Sequence, residues 1–201
     1  MLFRENASLV YITSLSVETA LLLPIITRFA QQHNIPIATN PGSSQLKEHA
    51  ASLRDCLNAL DILILNAQEA AQLLSTITPD QPFDLTRYMK TILGKGVRIV
   101  AVTKDIDGVW VAYNDTLYYH PSISVEIAST IGAGDAFGSA FTASIAQNYS
   151  IEESLVRGII NASSVIGSYD AKSGLLSKKE LDDRMKKLGT SNISKPSLKN
   201  R

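Results

Sequence analysis

The chain has 201 residues, of which 45% are hydrophobic and 19% are charged, and its formal net charge is zero. This composition is typical of one soluble globular domain. It lacks the basic excess that marks a nucleic-acid-binding protein, so we predict no nucleic-acid partner. The single cysteine, Cys56, excludes an internal disulfide and favours a reducing, cytoplasmic setting.

A membrane partner is also not expected. The most apolar stretch, residues 21–26, lies between the charged residues Glu18 and Arg28. A membrane-spanning helix needs ~20 apolar residues, so this stretch is too short. We interpret it as the buried face of a helix, and no pattern typical of a signal peptide precedes it.

Apolar runs and helical patterns alternate along the first half of the chain. Strands are predicted at residues 9–13, 35–39, 61–65 and 98–103, because these short runs are rich in β-branched and other apolar residues. Helices are predicted at residues 16–32, from the turn at 40–43 to about 57, from 67 to 74, and at 85–93. This alternation predicts an α/β fold with a parallel sheet and helices on both faces.

The pattern changes in the second half. A β-hairpin is predicted at residues 109–112 and 117–119, around Asn114 and Asp115. Helices are then predicted at 133–147, 151–169 and 177–188, and the polar end, residues 189–201, is predicted to be a frayed tail. Ligands of parallel sheets bind beyond the C-terminal ends of the strands, where the motifs described next are placed.

The strongest chemical signal is the sequence Gly132-Ala133-Gly134-Asp135, which enters a long apolar helix. A glycine-lined turn lets backbone N–H groups approach an anion, and the first turn of a helix adds unpaired donors. The Asp135 carboxylate can accept the proton of an attacking hydroxyl. The pattern indicates a site for a phosphoryl group in transfer, although an aspartate that merely caps a helix gives the same pattern.

A dinucleotide-binding glycine turn is a further alternative, and it would indicate an oxidoreductase. The glycines here follow the spacing Gly-x-Gly-x-x-x-Gly, whereas the dinucleotide fingerprint is Gly-x-Gly-x-x-Gly. They also come after a predicted hairpin, and not after the first strand of a βαβ unit. The Gly-x-x-x-x-Gly-Lys-[Ser/Thr] sequence of P-loop proteins does not occur.

Residues 130–137 resemble the C-terminal signature of the ribokinase-like (PfkB) family of carbohydrate and nucleoside kinases. The resemblance implies a three-layer α/β/α fold with a mainly parallel central sheet over residues 1–188, followed by a polar tail at 189–201. It implies ATP-dependent phosphoryl transfer to a hydroxyl of a sugar or nucleoside. It also implies that Asp135 is the catalytic base, and that the anion hole comprises Gly132, Ala133 and Gly134.

Asn66-Ala67-Gln68-Glu69 is similar to the Asn-x-x-Glu motif of the same family. This spacing alone would indicate only a surface helix. Because it follows a predicted buried strand and precedes the glycine turn, the resemblance implies that Asn66 and Glu69 order Mg²⁺ and its waters.

Residues 103–108 resemble the family's nucleotide loop, Thr-x-Gly-x-x-Gly. The resemblance implies that Thr103 and Gly108 contact ATP. Asp105 stands where the family has the first glycine, so an acidic side chain is expected near the phosphates.

Residues 161–165 and 171–176 resemble the helix and loop that enclose the adenine, which implies nucleotide contacts from Asn161 and Val165. Packing within the helix is the alternative for residues 162–165. Ser129 stands where many members have an aspartate that helps to hold a monovalent cation, which argues against potassium activation.

The resemblance maps onto the C-terminal part of the family fold. The N-terminal strands, the small β lid and most acceptor-binding residues of the family have no counterpart here. An open strand edge and apolar helix faces are therefore expected, with self-association, for instance as a homodimer, or a covering partner. A truncated, non-catalytic nucleotide-binding remnant or a partner-dependent module is the alternative function.

Overall fold

The computed structural model describes residues 7–16 and 18–198, and its elements alternate as in an α/β protein. The strands are β1 (Val10–Ile12), β2 (Ile37–Thr39), β3 (Ile62–Asn66), β4 (Ile99–Thr103), β5 (Val109–Tyr113) and β6 (Thr116–His120). The α-helices are α1 (Leu22–Gln32), α2 (Ser43–Cys56), α3 (Ala67–Ile77), α4 (Leu85–Gly94), α5 (Ala133–Ala146), α6 (Ile151–Ile166) and α7 (Lys178–Leu188).

Within the described residues, the six strands form one sheet in the order β1-β2-β3-β4-β5-β6. Strands β1 and β2 are parallel, with Val10 opposite Ile37, and β2 and β3 are parallel, with Ala38 opposite Ile62. Short apolar strands connected by helices are what the sequence pattern predicted, so the α/β class is confirmed.

The chain divides into two compact units. The first contains residues up to Val102, together with Ala112–Asp115 and Leu198, and its core includes the fully buried strand residues Leu63, Ile64 and Leu65. The second contains Thr103–Val111 and Thr116–Ser197.

Close packing between α5 and α6 forms much of the core of the second unit. The rings of Phe137 and Phe141 stack on α5, with their centroids 5.5 Å apart. A Cβ added to Gly158 on α6 would lie 2.7 Å from the Phe137 ring, so the two helices are too close for a side chain there. Helix α6 begins with a capping box, in which Ser150 and Glu153 satisfy each other's backbone N–H groups.

The predicted start of the first helix is wrong. The structure has a turn at residues 18–21, the Ser16 hydroxyl lies 3.0 Å from that of Thr19, and α1 begins only at Leu22. Pro24 explains the late start, because proline has no N–H and is accommodated in the first turn of a helix. Val17, within the predicted helix, lies outside the described residues.

The apolar stretch at residues 21–26 is buried only in part. Leu23 is fully buried, but Leu21 is 62% exposed and Ile25 is 63% exposed. The interpretation of this stretch as a buried helix face therefore holds for one side of α1 only. No helix in the described ranges is long and apolar enough to cross a membrane.

The end of the chain is more ordered than predicted. Ser194 exchanges two backbone hydrogen bonds with Tyr119, at 2.9 and 3.0 Å, and the Leu117 N–H donates to the carbonyl of Pro196. Residues 194–197 thus pair antiparallel with β6, the last strand in the sheet order. The backbone groups at the edge of a sheet form hydrogen bonds with another segment whatever its side chains, so even a polar segment can pair there. The prediction of a frayed tail is therefore wrong up to residue 198. Residues 199–201 of that prediction lie outside the described part.

Candidate active site

The glycine turn opens α5, in the second unit. Gly132 precedes the helix with a φ of +82°, in the left-handed region that side-chain-bearing residues rarely adopt. A Cβ added to Gly132 would lie 2.6 Å from the Cβ of Ala171. Glycine is therefore required at this position by the backbone and by the neighbouring loop.

Two backbone donors remain free at the start of α5. The Ala133 N–H donates to Thr130, and the Ala136 N–H donates to the Gly132 carbonyl at 2.8 Å. Within the described residues, the N–H groups of Gly134 and Asp135 have no hydrogen-bond acceptor. Free donors at the positive end of a helix dipole can bind an anion, as the sequence predicted.

The side of the turn near these donors is open. A Cβ added to Gly134 would meet no heavy atom within 4 Å. The Asp135 side chain is exposed, and in the described part of the chain it makes no hydrogen bond or ion pair. A ligand can thus reach the two donors and the Asp135 carboxylate together.

The segment leading into the turn is held by its own hydrogen bonds. The Ile166 carbonyl accepts from the N–H groups of Ala128 and Ser129, at 3.0 and 3.2 Å. The Ser129 hydroxyl accepts from the Ile131 N–H. Ser129 therefore has a local structural contact, and the absence of potassium activation stays a prediction.

A compact turn packs against Gly132 from the other side. The Asp170 carboxylate accepts hydrogen bonds from the hydroxyl of Ser173 and from the backbone N–H groups of Ser173 and Lys172. These bonds, led by the Ser173 hydroxyl, hold the pKa of Asp170 at about 2. The carboxylate is therefore ionised near neutral pH, and the turn it closes places Ala171 beside Gly132.

The structure places Asn161 and Val165 in the interior. Asn161 is 5% exposed; its amide donates to the Ala136 carbonyl at 2.8 Å, and its side-chain oxygen accepts from the Leu176 N–H at 3.0 Å. Val165 is fully buried. Val165 thus makes the packing contacts of the alternative interpretation, whereas Asn161, which that alternative did not include, is held by hydrogen bonds at both ends of its amide. The contact of either side chain with a nucleotide stays a prediction.

The predicted nucleotide loop is closed by a hydrogen bond from the Lys104 N–H to the Gly108 carbonyl, at 2.9 Å. Thr103 is the last residue of β4 and is partly exposed. Asp105 is exposed and has a φ of +42°, so an aspartate occupies the left-handed conformation that suits glycine. The substituted residue is thus accommodated in the loop, with its carboxylate in solvent.

Asn66 and Glu69, in the first unit, form a capping box at the start of α3. The Glu69 N–H donates to the Asn66 side chain at 2.8 Å, and the Asn66 N–H donates to Glu69 Oε2 at 3.0 Å. The Ser43 hydroxyl donates to Glu69 Oε1 at 3.0 Å, and Glu69 is 9% exposed. The motif therefore has a structural role that accounts for its spacing.

A role for this pair beside Mg²⁺ depends on the contacts that its oxygens already make. Both Glu69 oxygens already accept a protein hydrogen bond, yet each carboxylate oxygen has a second lone pair. No group of three or more candidate ligand side chains occurs within residues 7–16 and 18–198. The pair fits a role in holding metal-bound water better than direct ligation, since Mg²⁺ usually keeps several waters.

Residues 3–178 match the family described as pfkB family carbohydrate kinase. The chain belongs to the pfkB family. This match covers well over half of the chain, and it confirms the resemblance drawn from the glycine turn.

Among pfkB relatives, an ATP-dependent ribose-1-phosphate kinase from Halopiger xanaduensis is 31% identical over 151 residues, which is 75% of this chain and 46% of that protein. The chain spans about half the length of the curated relatives it matches.

Two solved structures share the pfkB fold. A nucleoside kinase from Burkholderia thailandensis in complex with inosine has a TM-score of 0.75 and 16% identity, covering 92% of this chain and 58% of its own. A structure from E. coli in complex with ATP and Mg²⁺ has a TM-score of 0.78 and 18% identity, covering 92% of this chain and 61% of its own. At this identity, the similarity establishes the fold alone.

Sequence reasoning missed three contacts made by or beside the predicted site residues, one in the first unit and two in the second. The Asp170–Ser173 turn had a local signal, because an aspartate side chain that accepts from the backbone N–H groups two and three residues later is typical of such turns. The Ser43–Glu69 bond and the bridge made by Asn161 join residues far apart in the chain, and no local pattern indicates them.

We expect Glu69→Gln to lower the free energy of unfolding by about 1–2 kcal/mol, because the buried Glu69 carboxylate accepts hydrogen bonds from the Asn66 N–H and the Ser43 hydroxyl, and a neutral amide forms weaker ones. Urea denaturation measures the change. Glu180→Gln is the matched control, since Glu180 forms the same kind of capping box at α7 but is exposed. Equal losses in the two variants would contradict the role assigned to burial.

We expect Asp105→Asn to tighten Mg-ATP binding, because it removes a negative charge from the predicted nucleotide loop while asparagine still tolerates a positive φ. Asp105→Gly is expected to tighten it at least as much, since glycine suits this conformation better. Calorimetry on both variants, with Asp107→Asn as a second charge change in the same loop, checks this expectation. Weaker binding by Asp105→Asn would show that the phosphates of ATP do not bind near this residue.

Proposed function

We propose that this chain catalyses transfer of the γ-phosphoryl group of ATP to a hydroxyl of a sugar or nucleoside. The observation that carries the proposal is the start of α5. There, within the described residues, the N–H groups of Gly134 and Asp135 have no acceptor, and they lie beside an exposed carboxylate that makes no hydrogen bond or ion pair. Anion donors and a proton acceptor are the two groups that phosphoryl transfer to a hydroxyl needs from a protein.

In the proposed reaction, the acceptor hydroxyl oxygen attacks the γ-phosphorus, and the bond from that phosphorus to the bridging oxygen of ADP breaks. Asp135 takes the proton of the hydroxyl. The N–H groups of Gly134 and Asp135 donate hydrogen bonds to the phosphoryl oxygens as charge shifts among them. Gly132 and Ala133 shape the turn that aims these donors.

Thr103 and Gly108 are proposed to contact the nucleotide through the loop that follows β4. Asn66 and Glu69 are proposed to hold waters of Mg²⁺, which when bound supplies positive charge to the phosphate oxygens. The capping box has already oriented the Glu69 carboxylate, so no rearrangement of α3 is needed to present its second lone pairs.

The acceptor class rests on relatives. One matched relative is a ribose-1-phosphate kinase, and one structural neighbour holds inosine, so both sugars and nucleosides are represented. Because the chain spans about half the length of its curated relatives, the choice among these acceptors is part of the proposal.

The setting we propose is cytoplasmic. Cys56 is the single cysteine of the chain, and its thiol is buried. Burial raises the pKa of this thiol, so it stays protonated and unreactive. A protein with no internal disulfide and an ATP-dependent reaction suits that compartment.

A second candidate function, a partner-dependent module, is favoured by α1. Leu21, just before this helix, and Leu22 and Ile25 within it expose large apolar side chains, and β1 is the first strand in the sheet order. Exposed apolar faces and open strand edges promote association. Light scattering separates the candidates, because a monodisperse monomer would remove this support for the module.

Calorimetric titration of the purified chain with Mg-ATP tests the proposed function, with Mg-GTP and NADH as controls. We expect selective binding of Mg-ATP, followed by detectable transfer in a screen of ribose, phosphorylated sugars and nucleosides. Binding of NADH alone would favour the dinucleotide alternative. A folded chain that binds none of the three would contradict the proposal.

A further inference from the structure

A buried amide connects the first turn of α5 with the loop before α7. The Asn161 side chain lies in the middle of α6, donates to the carbonyl of Ala136 and accepts from the N–H of Leu176. These partners are 25 and 15 residues away along the chain. The amide therefore joins three separate segments in the core of the second unit.

The α5 end of this bridge is next to the proposed chemistry. Ala136 directly follows Asp135, and its own N–H donates to the Gly132 carbonyl at 2.8 Å. A shift of Ala136 would move that hydrogen bond and with it the turn that carries the free donors. The bond from Asn161 to Ala136 thus restrains the position of Gly134 and Asp135.

The other end of the bridge holds a loop that touches the same turn. Ala171 packs on Gly132, and a Cβ added to Gly174 would lie 2.4 Å from the Ser164 carbonyl on α6. The bond from the Leu176 N–H to Asn161 fixes the end of this loop. The loop is therefore held on α6 at two points and on the glycine turn at a third.

Both hydrogen bonds of the bridge require a side-chain amide of the length of asparagine. Asn161 must donate at one end and accept at the other, from a position that is 5% exposed. An aspartate would present only acceptors and would face the Ala136 carbonyl with a negative charge. The bridge would then be lost at Ala136, the end next to Asp135.

We propose that Asn161 is a positioning residue for phosphoryl transfer. It fixes the position of the N–H groups of Gly134 and Asp135 relative to the loop at residues 170–176. This inference rests on the proposed function. A misplacement of about 1 Å in such a site can lower a rate by about 10²-fold. Loss of the two hydrogen bonds of Asn161 needs to shift the start of α5 by only that distance to affect the rate of transfer.

The test compares Asn161→Asp and the milder Asn161→Ser with Ile160→Val. Ile160 is the preceding residue of α6 and is equally buried, so its variant lowers packing without touching the bridge. Tripolyphosphate is titrated into each ¹⁵N-labelled protein, and the amide shift of Gly134 is followed. Where turnover is measurable, kcat and the KM for ATP are determined separately.

We expect tripolyphosphate to shift the Gly134 amide in the wild type and in Ile160→Val. We expect about tenfold weaker binding, or a smaller shift at saturation, in Asn161→Asp and Asn161→Ser, and a fall in kcat that exceeds the change in KM. Wild-type-like shifts and kcat in both Asn161 variants would overturn the inference alone. No shift in the wild type would overturn the proposed anion site and the inference with it.

Discussion

Asp135→Asn is expected to lower phosphoryl transfer by about 10²–10⁴-fold while Mg-ATP affinity stays within about threefold of the wild type. The amide has the size of the carboxylate but cannot take the proton of the acceptor hydroxyl. Asp135 is exposed and its side chain makes no hydrogen bond or ion pair with residues 7–16 or 18–198, so its replacement breaks no contact there. A coupled assay for ADP release measures the rate, and calorimetry measures the affinity.

The matched control for this variant is Asp183→Asn, which removes one exposed carboxylate from α7 and loses only an ion pair with Lys186. We expect its turnover to equal that of the wild type. Asp135→Asn should also cost no more than about 1 kcal/mol of stability, because one negative charge leaves the start of a helix. Turnover retained by Asp135→Asn would show that another group takes the proton.

Gly108→Ala is expected to destabilise the protein by about 3 kcal/mol or more. Gly108 has φ +90° and ψ −151°, a conformation that is essentially restricted to glycine. A Cβ there would lie 2.3 Å from the His120 carbonyl oxygen and 2.7 Å from the Pro121 Cα. Both are backbone atoms, so strain and overpacking add to each other.

Urea denaturation followed by circular dichroism measures this loss. Gly94→Ala is the control, because a Cβ at this last residue of α4 would meet no heavy atom within 4 Å. It should leave stability unchanged or raise it by about 0.5–1 kcal/mol, as alanine replaces glycine in a helix. If Gly108→Ala unfolds at the wild-type urea concentration, the close approach of residues 120 and 121 to Gly108 is not maintained in solution.

The sheet could be predicted from the sequence because each strand is indicated by the pattern of its own residues. The apolar run at residues 61–65 has the buried-strand pattern, and β3 forms one residue further along. The hairpin was indicated by Asn114, which has the positive φ of 53° that such turns require. In both cases the signal lies within the few residues that form the element.

The ends of the chain could not be predicted in this way. Ser16 and Glu18 are typical of a helix start, but the start of α1 agrees with Pro24 instead. The segment at 194–197 is polar, and its order comes from the unpaired edge of β6. Long-range pairing of this kind leaves no periodic pattern in the segment itself.

The candidate site likewise has features that local sequence indicates and features that depend on long-range packing. The glycine turn was located by its own residues, and the structure adds that the N–H groups of Gly134 and Asp135 have no acceptor in the described part of the chain. The Asn-x-x-Glu spacing fits both a capping box and a magnesium role, so sequence could not separate the two. The burial of Asn161 depends on the packing of α5 against α6, which no local pattern specifies.

The pairing of residues 194–197 with β6 has a consequence during synthesis. On the ribosome, β6 emerges long before its partner, so the outer edge of this strand stays uncovered while α5, α6 and α7 are being made. An uncovered edge can pair with a neighbouring nascent chain. Slower translation of the segment between β6 and residue 194 should therefore increase aggregation, and chaperones that bind extended strands should reduce it.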